Sequence, residues 1–185
     1  MAIAPPAAAL DELAAVTAPL RDAWPQLRWT DRRTWHLTLA FLGEVDETIA
    51  GRLGPRLERA ARRYPAPTLS MAGAGAFARP ARARTLWAGI GGDSRALTTL
   101  TALAGSVGAG CRRAGAPPPD EGRRFTPHLT LAYCRQIADV RTLVESLSGY
   151  SGTTWQASEV RLMRSYLGPR PRYEVIGSWP LRPPG

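Results

Sequence analysis

The chain has 185 residues with six tryptophans and a hydrophobic fraction of 44%, enough to bury a sizeable interior in one compact domain, which excludes an intrinsically disordered chain. No stretch approaches the roughly 18 to 20 uninterrupted apolar residues of a membrane span; Met1 to Leu10 lacks the basic start of a secretory signal; and Cys111 and Cys134 are too few and too separated for a zinc knuckle or a disulfide scaffold, so a cytoplasmic protein with reduced thiols is expected. The formal net charge of +9 is carried entirely by arginine, with no lysine, which points either to an anionic partner or to the base composition of an Ala-, Gly- and Pro-rich coding sequence.

The spacing of Leu10, Leu13, Ala14, Thr17 and Leu20 predicts a helix over Ala7 to Trp24, kinked or ended near Pro19. From Gln26 to Gly43 the pattern alternates, with Leu27, Trp29, Trp35, Leu37, Leu39 and Phe41 on one parity, and predicts a strand or two strands broken near Asp31. A second helix is expected from Asp46 to Tyr64, stopped by Pro65, followed by strands at Thr68 to Phe77 and Arg84 to Ile90. Gly91 to Ser94 then caps a third helix that ends near Ala114. The Pro-rich, charged stretch Gly115 to Arg124 reads as a mobile flap or linker. A strand from Phe125 to Arg135, a short helix from Asp139 to Ser148, and strands at Ser158 to Leu167 and Arg172 to Trp179 complete the order, which defines an α+β protein.

Thr34-Trp35-His36-Leu37-Thr38-Leu39-Ala40-Phe41 reappears about half a chain later as Thr126-Pro127-His128-Leu129-Thr130-Leu131-Ala132-Tyr133. Such a repeat implies two similar lobes facing each other. Strand alternation places His36 with Thr38, and His128 with Thr130, on one face, while the leucines between them point to the opposite, core-forming face. An isolated His-Thr face is ordinarily just the solvated side of a sheet. Here the chain's only two histidines occupy the same position of the same repeat. If the lobes converge, two imidazoles with near-neutral pKa values flanked by two hydroxyls share one cleft, a set suited to phosphodiester hydrolysis with one imidazole as base and the other as acid. The hydroxyls would hold the non-bridging phosphate oxygens. A stable zinc site takes three or four protein ligands, and spacing signals no third one, so neither a metal nor another cofactor is expected.

The two His-Leu-Thr-Leu motifs resemble those of the 2H phosphoesterase superfamily, and within it the RNA 2′,3′-cyclic phosphodiesterase (2′-5′ RNA ligase-like) family. The resemblance extends to Leu27-Arg28-Trp29, Leu86-Trp87-Ala88-Gly89-Ile90, Arg124-Phe125-Thr126-Pro127 and Tyr173-Glu174-Val175. It implies a single two-lobed domain over residues 1–185, bilobal with pseudo-twofold symmetry, in which two antiparallel sheets face a central cleft and helices lie on the outer faces. It further implies metal-independent opening of a 2′,3′-cyclic phosphate to a 2′-phosphate, with reversible 2′-5′ joining of RNA ends as a secondary activity. Carried over by motif, His36 is the acid on the leaving 3′ oxygen, His128 the base on water, and Thr38 and Thr130 the phosphate ligands. Phe41 stands where the family places a base-stacking aromatic, although an ordinary core phenylalanine is the other reading. Similar enzymes often carry an arginine shortly after the second motif; here the sequence is Tyr133-Cys134-Arg135, so Arg135 and Arg124 are the candidate phosphate-binding cations. The expected partners are RNA ends or nucleotides bearing a 2′,3′-cyclic phosphate, handled by a monomer. Another small cyclic or 2′-5′-linked nucleotide, or non-catalytic RNA binding, are the alternatives; binding alone would survive loss of either histidine.

Overall fold

The computed structural model describes residues 1–116, 124–166, 168 and 171–184. In chain order the elements are β1 (Ala2–Ile3), α1 (Ala7–Ala23), β2 (Arg28–Trp29), a 3-10 turn (Arg32–Thr34), β3 (Leu37–Thr38), α2 (Glu47–Arg63), β4 (Thr68–Phe77), β5 (Ala83–Gly91), α3 (Ser94–Ala114), β6 (His128–Ala138), α4 (Arg141–Leu147), β7 (Trp155–Gln156), β8 (Glu159–Tyr166) and β9 (Arg172–Pro180), with a second 3-10 turn at Pro80–Arg82. The strands form two antiparallel sheets, a four-stranded one in the order β3-β1-β8-β9 and a five-stranded one in the order β2-β6-β5-β4-β7. With β2 set aside, the orders β3-β1-β8-β9 and β6-β5-β4-β7 correspond, and each begins with the strand that carries one His-Leu-Thr-Leu motif. This is the α+β, two-sheet arrangement that the element order and the family resemblance lead one to expect.

Helices cover these sheets. α2 packs on β8, β9 and α3, while α1 and α4 lie against β4. The Asp46 and Asp93 carboxylates accept the amides of Ile49 and Ala96, so α2 and α3 start where a side chain satisfies an otherwise orphaned N–H. α1 continues through Pro19 to Ala23 and does not end there. Pro19 and Ala15 both face solvent, where water can take the carbonyl that the proline leaves without a donor. The loop expected over Gly115 to Arg124 includes residues 117–123, and the strand expected to reach Leu167 ends on that residue; both lie outside the described residues.

The alternating stretch Gln26 to Gly43 forms two short strands broken at Asp31, the second of its two expected readings. Only four of its residues are in strands, because the segment leaves one sheet and joins the other. Arg28 and Trp29 pair with Tyr133 and Ala132 of β6, whereas Leu37 and Thr38 pair with Ile3 and Ala2 of β1. Between them Asp31 caps the 3-10 turn through the Arg33 amide. One hydroxyl ties the crossing together: Thr30 Oγ1 donates toward the carbonyls of Thr130 (2.8 Å) and Leu131 (2.9 Å) and accepts from the Trp35 indole at 2.7 Å. Trp35 is almost fully buried. Replacing Thr30 by Val leaves the Trp35 N–H buried without an acceptor, a cost of about 1–3 kcal/mol, while Thr30→Ser keeps the bonds and stays near wild type. Denaturant midpoints of the two variants measure the difference.

Candidate active site

Each motif delivers its residues to a cavity of about 860 Å³ between the sheets, lined by His36, Thr38, Phe41, His128, Thr130, Tyr133 and Tyr173 among others. The leucines behave as alternation requires: Leu37, Leu129 and Leu131 are fully buried, whereas both histidines and both threonines are only half-buried. Across the five-stranded sheet, Thr130, Trp87 and Gly75 form one cross-strand row. Gly75 is required there because a Cβ at this position would overlap the Trp87 ring.

The two imidazoles are held alike. His36 Nδ1 lies 2.8 Å from the Thr34 carbonyl, and His128 Nδ1 lies 2.7 Å from the Thr126 carbonyl, in each case two residues back along the chain. A carbonyl oxygen can only accept, so each Nδ1 carries the proton, and Nε2 is left as the titrating atom of each ring. Aromatic edges brace the rings: Tyr173 of β9 meets His36 at 4.8 Å between centroids, and Phe77 of β4 meets His128 at 4.9 Å, both T-shaped. Burial lowers the pKa of His36 below its usual value, as does repulsion from the Met1 ammonium and from His128; burial likewise lowers that of His128. Mutual repulsion favours a pair that holds a single proton, the state from which one ring donates and the other accepts.

Phe41 was placed by strict alternation with the core leucines, yet it is 53% exposed and lines the cavity. The amides of Leu39 (2.9 Å) and Ala40 (3.4 Å) both donate to the Met1 carbonyl, a bulge-like step that buries Leu39 and Ala40 in succession and turns Phe41 outward. β6 does the same opposite its own register shift: Leu131 and Ala132 are both fully buried, and Tyr133 returns to the cavity. Arg124 and Arg135 are exposed and are not among the lining residues; the arginine that lines the cavity is Arg164 of β8. Arg164 escaped sequence reasoning because nothing in its strand pattern set it apart from the chain's other arginines. Phe77, Tyr173, Thr30 and Trp35 were equally unmarked as parts of a site, although Tyr173 and Trp35 sit in segments that resemble the family. Among the described residues no three of His, Cys, Asp and Glu gather as a metal would require, and no helix is long and apolar enough to cross a membrane.

Each of the two matching sheets thus brings one braced imidazole and one hydroxyl to the same cleft. The LigT-like phosphoesterase family model matches residues 3–87 and 92–173, and the chain belongs to that family, part of the 2H phosphoesterase superfamily. It is 32% identical over 144 residues to a protein of Aeropyrum pernix named RNA 2′,3′-cyclic phosphodiesterase, covering 76% of this chain and 78% of that one. A protein of the same name from Geobacillus stearothermophilus is 29% identical over 163 residues, covering 85% of this chain, which spans about half (48%) of that longer relative. Among solved structures, E. coli LigT in apo form aligns with a TM-score of 0.75 and 25% identity over 98% of this chain and 95% of that one. Its complex with 3′-AMP aligns with a TM-score of 0.73 and 26% identity over 97% and 95%.

Two titration outcomes follow. His128→Ala raises the pKa of His36, read from imidazole proton shifts against pH, because it removes a like charge and opens the ring to water. Both histidines have folded-state values below their ordinary 6.5, so the unfolded chain takes up protons first. Their contribution to stability is complete above about pH 6.5 and is lost as the pH falls from there toward the folded values, which denaturation at a series of pH values tests.

Proposed function

We propose that this protein hydrolyses 2′,3′-cyclic phosphate ends of RNA to 2′-phosphate ends, without a metal, using His36 and His128 as acid and base. The observation that carries the reading is the matched pair of Nδ1–carbonyl bonds, which leaves one Nε2 per sheet free to exchange a proton at a common cleft. The names of the A. pernix and G. stearothermophilus relatives support the substrate class.

In this mechanism His128 Nε2 takes a proton from a water molecule as the water oxygen bonds to phosphorus. The bond from phosphorus to the 3′ oxygen breaks, its electron pair moves to that oxygen, and His36 Nε2 supplies the proton that completes the 3′-hydroxyl. His36 therefore starts protonated, and the bound phosphate anion offsets the burial that otherwise lowers its pKa. Thr38 and Thr130 donate to the non-bridging oxygens, whose charge grows at the transition state. Phe41 stacks on the terminal base, and Arg164 is the cation in reach of the cleft. A ribose 5′-hydroxyl entering in place of water would leave a 2′-5′ linkage by the same proton transfers. Since each sheet supplies one histidine, residues 1–185 act as a single two-lobed domain, and one chain suffices as a monomer.

With a short RNA ending in a 2′,3′-cyclic phosphate, in EDTA, the wild type releases the 2′-phosphate product. His36→Ala and His128→Ala each lower kcat by about 10²- to 10⁴-fold, and Thr38→Val or Thr130→Val by about 10²- to 10³-fold if the hydroxyl serves as an oxyanion donor. No turnover by wild type, or full turnover by either histidine variant, overturns the proposal.

A further inference from the structure

Tyr133 and Phe41 occupy the same place in the repeat, each the fifth residue after its histidine, and each is turned into the cavity by two consecutive buried residues. The cavity wall therefore carries one of this matched pair of exposed aromatics on each sheet. Phe41 already has an occupant in the terminal base. Tyr133, 40% exposed, does not.

Tyr133 is also covered in a particular way. Arg28 is its cross-strand partner in β2, and the Arg28 guanidinium lies 4.7 Å from the centroid of the Tyr133 ring. That guanidinium makes no hydrogen bond or ion pair among the described residues, so its outer face and N–H edge stay open. A planar cation resting on a phenol offers a base a second stacking surface and offers phosphate a forked donor. Arg135 lies two residues farther along β6, roughly 7 Å beyond Tyr133 at the rise of a strand. It too is exposed and has no hydrogen bond or ion pair among the described residues.

We propose that Tyr133 and Arg28 form a second base-binding platform, which takes the nucleotide preceding the cyclic-phosphate end of an RNA strand. This rests on the function proposed above and sharpens its substrate class: the end of an oligoribonucleotide is favoured over a free cyclic mononucleotide. Stacking is tolerant of base identity, so the platform selects for chain length and not for sequence.

The test compares kcat/KM for a 2′,3′-cyclic mononucleotide with that for a trinucleotide ending in the same cyclic nucleotide. For wild type the ratio favours the trinucleotide by about 5- to 150-fold, the range expected for one stacked base. Arg28→Ala and Tyr133→Ala each bring the ratio toward one, whereas Tyr133→Phe retains it. The mononucleotide rate of each variant reports whether its site is still assembled. A wild-type ratio near one, with the mononucleotide turned over, overturns the platform alone; so does a ratio that neither alanine variant alters. Failure of wild type to turn over either substrate overturns the proposed function and the platform with it.

Discussion

The structure depends on one crossing. The two histidines belong to separate sheets, and separate sheets can slide unless something covalent and polar holds them in register. The segment from Arg28 to Thr38 does this by pairing with β6 at one end and with β1 at the other. Thr30 is its fixed point: its amide and hydroxyl both reach the Leu131 carbonyl inside the second motif, and its oxygen receives the indole N–H of Trp35, the neighbour of His36. One side chain thus bonds the surroundings of both histidines, and the buried setting makes its hydrogen bonds costly to lose.

In the proposed mechanism, the cleft around that crossing has to reconcile catalysis with burial. Imidazoles that exchange protons need defined tautomers and a shielded setting, yet shielding lowers their pKa values. The backbone carbonyls of Thr34 and Thr126 set the tautomer without adding a charge. Phe77 and Tyr173 fill the space beside the rings with aromatic edges, and burial raises the Tyr173 hydroxyl's own pKa, helped by nearby Tyr133, which keeps it neutral. An anionic phosphate entering such a cleft supplies the missing negative charge, so protonation of one imidazole and binding of the anion support each other.

The arginine-rich composition divides differently from what the net charge alone implies. Arg33, Arg62, Arg141 and Arg161 pair with acids two or four residues away in the chain, and Arg32 pairs with Asp11. Exposed local pairs of this kind are screened by solvent, contribute little to stability and leave the overall field to the other cations. Among the described residues, Arg164 is the one arginine that reaches the cavity wall. The remaining positive charge is a diffuse surface feature, suited to attracting a polyanion and weakened by salt.

The local chemistry of this protein was determined by its sequence. The repeat singled out His36, Thr38, His128 and Thr130, because a strand's two-residue period separates polar from apolar positions wherever the chain runs; the long helices were legible from their 3.6-residue period. Tertiary structure decided what periodicity cannot carry. The odd-parity apolar run from Leu27 to Phe41 reads as one strand or two broken near Asp31, but nothing in it tells that its two halves pair in different sheets, because hydrogen-bond partners distant in sequence leave no local signal. Phe41 and Tyr133 face the cavity because two consecutive residues before each are buried, through a register shift in β6 and through amides that share the Met1 carbonyl after β3, and a one-residue slip moves every later side chain to the opposite face. Arg164, Phe77 and Tyr173 join the site through strands that sit elsewhere in the chain order, so only the packed sheets could bring them to the histidines.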